Sequence, residues 1–164
     1  MKKLFLMLML CAPLAMFAQK FGKVNTQVVM QAMPEVAKAN GDLQALQKQY
    51  ENELKSMQDE LNRKSQEYEK TKATMNATKQ HETETELQTM YQKIQQTFQD
   101  NQQTLTKKSN ELMEPIITKI RNAIQAVGKA GAYTSIFEDG STLYLGDTVK
   151  DLTADVKTQL TKMK

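Results

Sequence analysis

Few side chains in this sequence could carry out chemistry. His81 is the only histidine and Cys11 the only cysteine, so neither a zinc site of nitrogen and sulfur ligands nor a Cys–His nucleophile pair can be assembled. Glu82, Glu84 and Glu86 follow His81, but an i, i+2 spacing on a helix sends carboxylates to different sides instead of converging them on a cation. Acids near a helix start are explained by the helix macrodipole alone. No glycine occurs between Gly41 and Gly128, which excludes a phosphate-cradling loop from that stretch. These absences argue against an enzyme and leave no catalytic, cofactor or metal residues to name. What remains is apolar and soft. Met57, Met75, Met90 and Met113 punctuate a polar segment together with Tyr68 and Tyr91, and thioethers adapt readily to varied apolar partners. Met57 and Met113 read as packing between helices, whereas Tyr68, Met75, Met90 and Tyr91 are candidates for contact with a bound partner.

Long helices must position these residues. With no Gly from 42 to 127 and no Pro between Pro34 and Pro115, the middle of the chain lacks the turns that sandwiches, barrels or doubly wound folds require. Leu43, Leu46, Tyr50, Leu54, Met57, Leu61 and Tyr68 fall at helical spacing. Several of these pairs lie 11 apart, the repeat of a nearly straight stripe. Acid-before-base pairs such as Glu51/Lys55 and Glu60/Lys64 support an exposed helix. From Asn76 to Glu86 the stripe vanishes, and Thr83 with Glu86 fits a capping box. It resumes through Leu87, Tyr91, Ile94, Phe98, Leu105, Leu112, Ile116, Ile120 and Ile124. The pattern predicts an antiparallel helical hairpin over 42–112 with its tip near residues 76–86, in preference to a single uninterrupted coiled coil.

The two ends predict a small β-body, 19–41 and 113–164. Phe21 to Val24 reads as a strand, and Pro34 suits a first helical turn. Gly128 and Gly131 stop the descending helix. The segments flanking Asp139-Gly140 read as a β-hairpin carrying Ile136, Phe137, Leu143 and Leu145. A helix then starts near Asp151 or Thr153. So small a sheet leaves edges that want partners, which favours self-association through Phe21, Val24, Ile136, Phe137, Leu143 and Leu145.

Residues 1–18 have the layout of a cleavable signal peptide: Lys2-Lys3, an apolar run from Leu4, and Ala15-Met16-Phe17-Ala18 ahead of Gln19. Cleavage after Ala18 removes two lysines and Cys11, leaving 20 basic against 19 acidic residues. An exported chain without cysteine forms no disulfide scaffold. Near-neutral, interspersed charge gives no field for capturing nucleic acid.

Phe21-Gly-Lys-Val-Asn-Thr-Gln-Val-Val-Met, the Gln/Lys/Glu-rich hairpin, and Val149-Lys-Asp-Leu-Thr-Ala-Asp-Val together resemble the Skp/OmpH family of periplasmic chaperones. The resemblance implies an α+β fold: a long antiparallel helical hairpin (a coiled-coil tentacle) on a small β-body, assembling as a jellyfish-like homotrimer. It also implies an activity, the holding of unfolded outer-membrane proteins between tentacles in the periplasm, without nucleotide or cofactor. Residues 42–112 depart from the basic tentacles common in that family, with 10 Lys/Arg against 12 Asp/Glu. That balance argues against lipopolysaccharide or membrane-surface binding by the arms. A structural trimer or adaptor of the cell envelope, and a secreted binding module, are the competing readings.

Overall fold

A computed structural model describes residues 19–163; the expected signal peptide and Cys11 lie outside them. The elements are β1 (Phe21–Val24), α1 (Thr26–Gln31), α2 (Pro34–Thr71), a 3-10 turn (Lys72–Thr74), α3 (Ala77–Ala130), β2 (Ser135–Glu138), β3 (Lys150–Asp151) and α4 (Thr153–Lys162). They form two compact units, one of residues 19–32 with 119–163 and the other of residues 33–118. The sequence pattern had set these divisions at 41/42 and 112/113.

In the first unit β1 is the central strand, flanked by β2 and β3, and both pairings are parallel. The expected hairpin around Asp139-Gly140 is therefore not formed. Gly140 does adopt positive φ (86°) in a turn, but Leu143 and Leu145 lie outside any strand. The third strand is Lys150–Asp151, which pairs with Gly22 and Lys23 on the side of β1 away from β2. Burial along β1 places Gly22 and Val24 inside and leaves Phe21 and Lys23 half-buried. Gly22 has a clear reason to lack a side chain, since a Cβ there would meet Leu152 Cδ1 at 2.4 Å and Leu152 is completely buried.

Both ends of the chain meet at one node. The Asn25 side chain caps α1 by accepting the Val28 N–H at 2.9 Å. Its own backbone N–H donates to Thr153 Oγ1 at 3.0 Å, and the Thr26 N–H donates to Glu138 Oε1 at 2.9 Å. Asp151 accepts the Thr153 N–H at 2.9 Å; hydrogen bonding from the Thr153 side chain first, and from this N–H second, holds the Asp151 carboxyl below its ordinary range. Val29, Ile120, Ala123, Leu152, Val156 and Leu160 complete the buried core with Val24.

The α3 C-terminus closes as a Schellman motif: the Tyr133 N–H donates to Gly128 O at 3.0 Å and the Ala132 N–H to Lys129 O at 3.2 Å. The left-handed residue of this cap is Ala132 (φ 52°), not a glycine. Gly131 serves a different need, since a Cβ there would strike the Tyr133 ring at 2.3 Å. An L-residue in the left-handed region costs about 1–2 kcal/mol, partly offset by glycine's extra unfolded-state entropy. Ala132→Gly is expected to raise stability by about 0.5–1 kcal/mol, read as a higher denaturant midpoint at unchanged slope.

The second unit holds α2 and most of α3. Pro34 occupies the first helical turn of α2, as its fixed φ favours. The polar segment 76–86, expected as the tip, is helix from Ala77 onward. The turn is Lys72–Asn76, and the cap is Asn76, whose side chain accepts the Lys79 N–H at 2.9 Å. Thr83 does not cap; its hydroxyl donates back to Lys79 O at 2.9 Å. The apolar stripe had not ended there. Gln80 and Thr83 occupy its half-buried positions ahead of Leu87 and Met90, so the helical period continues with polar side chains on the same face.

Candidate functional site

Opposing side chains in the second unit are few and mostly thin. Leu61 and Tyr68 are the buried residues of the distal part of α2. Tyr68 was expected to contact a bound partner, but its ring is covered and its hydroxyl donates to Glu84 Oε1 at 2.5 Å. It joins the two arms. Lys64 pairs with Glu86 beside it, and Gln80 Nε2 closes the turn on the carbonyls of Lys72 (2.8 Å) and Met75 (3.2 Å). Glu82 instead pairs with Lys79 on its own helix at 3.3 Å, so the three glutamates turn to three different cations or donors.

These contacts shift the groups involved. The hydrogen bond to Glu84, with some desolvation, pushes the Tyr68 phenol up to about 12. The bond between Lys64 and Glu86 holds the Glu86 carboxyl below its ordinary range and the Lys64 ammonium above its own. A raised phenol pKa contributes stability that is complete below about 10 and lost as pH rises to about 12. A lowered carboxyl works the other way, its contribution disappearing as pH falls through the carboxylate range. Tyr68→Phe is expected to remove the tyrosinate absorbance step near pH 12 and to flatten the loss of helicity between about pH 10 and 12. An unchanged titration in the variant would mean that the Tyr68–Glu84 bond does not form in solution.

Below this clasp the seam leaves apolar surface uncovered. On one flank Leu54, Lys55, Gln58, Ile94, Gln95 and Phe98 line an open groove of about 470 Å³. On the other, Met57, Glu60, Lys64, Glu86, Met90, Lys93 and Ile94 line one of about 260 Å³. Phe98 is 50% and Tyr91 56% exposed. The cause is a mismatch of widths. Over this stretch α3 presents Leu87, Met90, Tyr91, Ile94 and Phe98, whereas α2 offers Leu54, Met57 and Leu61. Two helices seal only a narrow seam, so the excess on α3 stays open. Of the expected contact residues, Met90 lines a groove, Tyr91 is exposed without lining either groove, and Met75 is half-buried in the turn. Leu54 and Phe98 are ordinary stripe members in the sequence pattern; the extra width of the α3 stripe is the signal that marks Phe98.

The residues expected to join copies of the chain fall into three kinds. Val24 is 2% exposed and belongs to the core of its own chain, which removes it from that set. Phe21 packs on Phe137 with ring centroids 6.0 Å apart, and Ile136 and Leu145 are half-buried. Leu143 is fully exposed, as is its neighbour Tyr144 at 84%.

The chain thus combines a three-stranded parallel sheet with a long polar helical hairpin as its β1-to-β2 crossover, and apolar grooves lie open along that hairpin. A family model described as Outer membrane protein (OmpH-like) matches residues 20–160, and the chain belongs to that family. Chaperone protein Skp of Yersinia enterocolitica is 28% identical over 153 residues, 93% of either chain. Chaperone protein Skp of Pectobacterium atrosepticum is 25% identical over 143 residues, 87% of this chain and 86% of that one. The crystal structure of an OmpH-like outer membrane chaperone from Caulobacter crescentus matches with a TM-score of 0.77 over 89% of this chain and 86% of that chain. At 14% identity this last likeness speaks for the fold.

Proposed function

We propose that this protein is a nucleotide-independent holdase of the periplasm that keeps unfolded outer-membrane proteins from aggregating. The observation that carries the reading is the pair of shallow apolar grooves set in a glutamine-rich hairpin of an OmpH-like chain. Such a surface offers many weak contacts and no deep pocket, so it holds an unfolded chain without trapping it. The relatives named Chaperone protein Skp support the same activity, and chaperones of this family are not an enzyme class. Export follows from the signal-peptide layout of residues 1–18. Homotrimer formation is supported by the outer edge of β2, which has no strand beside it among the described residues, and by the exposure of Leu143 and Tyr144. Met75, Met90, Tyr91, Leu54 and Phe98 are the proposed client contacts.

The test is turbidity of a denatured outer-membrane protein diluted into buffer with and without the mature chain. Wild-type chain is expected to suppress turbidity. Replacing Met90, Tyr91 and Phe98 together with Ser should weaken holding more than three Lys→Gln changes on the arms. Holding should also change little between about 0.05 and 0.5 M salt, a range over which exposed charges become screened. A loss with salt, or a larger effect of the lysine changes, would mean that charge does the holding. Failure to suppress any such aggregation would favour a structural trimer or adaptor of the envelope.

A further inference from the structure

Gln19 is the first described residue and is exposed, and among the described residues nothing holds its carboxamide. The chain is fixed immediately after it. Lys20 O accepts the Thr134 N–H at 2.7 Å, Lys20 Nζ donates to Gly131 O at 2.9 Å, and the ammonium stands 4.2 Å over the Tyr133 ring. Cleavage after Ala18 would therefore create an N-terminal glutamine on a short free end beside a rigid anchor. We propose that Gln19 is a modification site: once exposed as the N-terminus it closes to pyroglutamate. The inference rests on the export reading above, and on its cleavage bond.

The chemistry needs no co-reactant. The neutral α-amine attacks the γ-carboxamide carbon, a lactam C–N bond forms, and the carboxamide nitrogen departs as ammonia, taking up the proton that the amine gives up. An ordinary α-amino group titrates near 7.7–8.0, so roughly a tenth or more of it is the free nucleophile at neutral pH. Amine and carboxamide belong to one residue, and ring closure gains from that proximity. The product carries no N-terminal cation. Lys20 then remains as the cation seated on the carbonyl of Gly131 at the end of α3, where a positive charge is favourable, and the blocked end resists aminopeptidases.

The full chain, signal peptide included, should be produced in an exporting bacterial host and its periplasmic extract examined by intact mass within minutes of lysis. The expected species starts at Gln19, is lighter by one ammonia than the free-amine form, and survives aminopeptidase. Gln19→Ala should give a free amine that the peptidase trims. A chain starting at Gln19 with its ammonia retained, or closure that develops only in stored extract, overturns the proposal while the export reading stands. A chain that starts at another residue, or retains residues 1–18, overturns both.

Discussion

Ile120→Asp is expected to unfold the first unit. Ile120 is 4% exposed in a core shared with Ala123, Leu152 and Val156, each fully buried, and no buried polar or charged residue exists among those described to receive a carboxylate. An unpaired carboxylate in such surroundings costs several kcal/mol, on the order of 3 or more, against a total of about 5–15 kcal/mol for a domain. Ile120→Val removes one methylene and should cost only about 0.5–1.5 kcal/mol. Ile117→Asp is the control on the same helix: Ile117 is 45% exposed, so its replacement should stay within about 0.5 kcal/mol. The burdened variant should recover on acidification, because burial raises the introduced carboxyl's pKa and the penalty falls once it is protonated. Denaturant unfolding followed by circular dichroism checks all three. An Ile120→Asp midpoint close to that of Ile117→Asp would mean that this face of α3 is not core.

Why Ile120 was legible in the sequence while β3 was not comes down to the range of the interactions involved. Helical burial repeats every three to four residues, so the widening of the stripe from Ile116 through Ile120 and Ala123 to Val127 announces a covered face without knowledge of what covers it. The same holds for the apolar stripe of the arms, but not for the expected pairs Glu51/Lys55 and Glu60/Lys64: Lys55 turns to Asp59, and Lys64 crosses to Glu86 on the other helix. Strand pairing is a relation between distant segments. Asp139-Gly140 forms its turn, yet residues 141–145 do not return beside β2; the third strand is Lys150–Asp151, paired with the other side of β1, two residues with little strand propensity. Nothing local to either segment records that choice. The node at Asn25 and Thr153 is similar: both residue types suit helix caps, but only the fold sets the Asn25 N–H on the Thr153 hydroxyl.

The candidate contact residues divide along the same line. Tyr68 sits on the stripe like its neighbours, and its spacing gives no hint that Glu84 across the turn would take its hydroxyl. The misplaced tip had hidden that partnership. With the turn at Lys72–Asn76 instead of 76–86, Tyr68 opposes Glu84 and Lys64 opposes Glu86, and both become arm-joining residues. The grooves then fall farther from the turn, at Leu54, Met57, Met90, Ile94 and Phe98.

That register yields the prediction with the largest functional effect. Excising Tyr50–Glu67 from α2 together with Thr85–Gln102 from α3 removes about five turns from each helix. Five whole turns preserve the phase of both stripes, so Gln49 leads into Tyr68 and Glu84 into Gln103 without rotating either face. The two cuts are matched across the seam by the Tyr68–Glu84 pairing, and the turn with its Gln80 bonds survives. Lost are both grooves and the Lys64–Glu86 pair, while the core residues of the first unit are untouched. The shortened chain is expected to stay helical, to keep the oligomeric state of the full-length chain, and to lose essentially all protection of a denatured outer-membrane protein. Light scattering and the turbidity assay separate the possibilities. Retained protection would move client contact out of the arm grooves and onto the first unit, where Val28, Leu143 and Tyr144 are the exposed large apolar residues among those described. Dissociation into monomers would mean that the removed stretches of the arms, and not the sheet edges, hold the copies together.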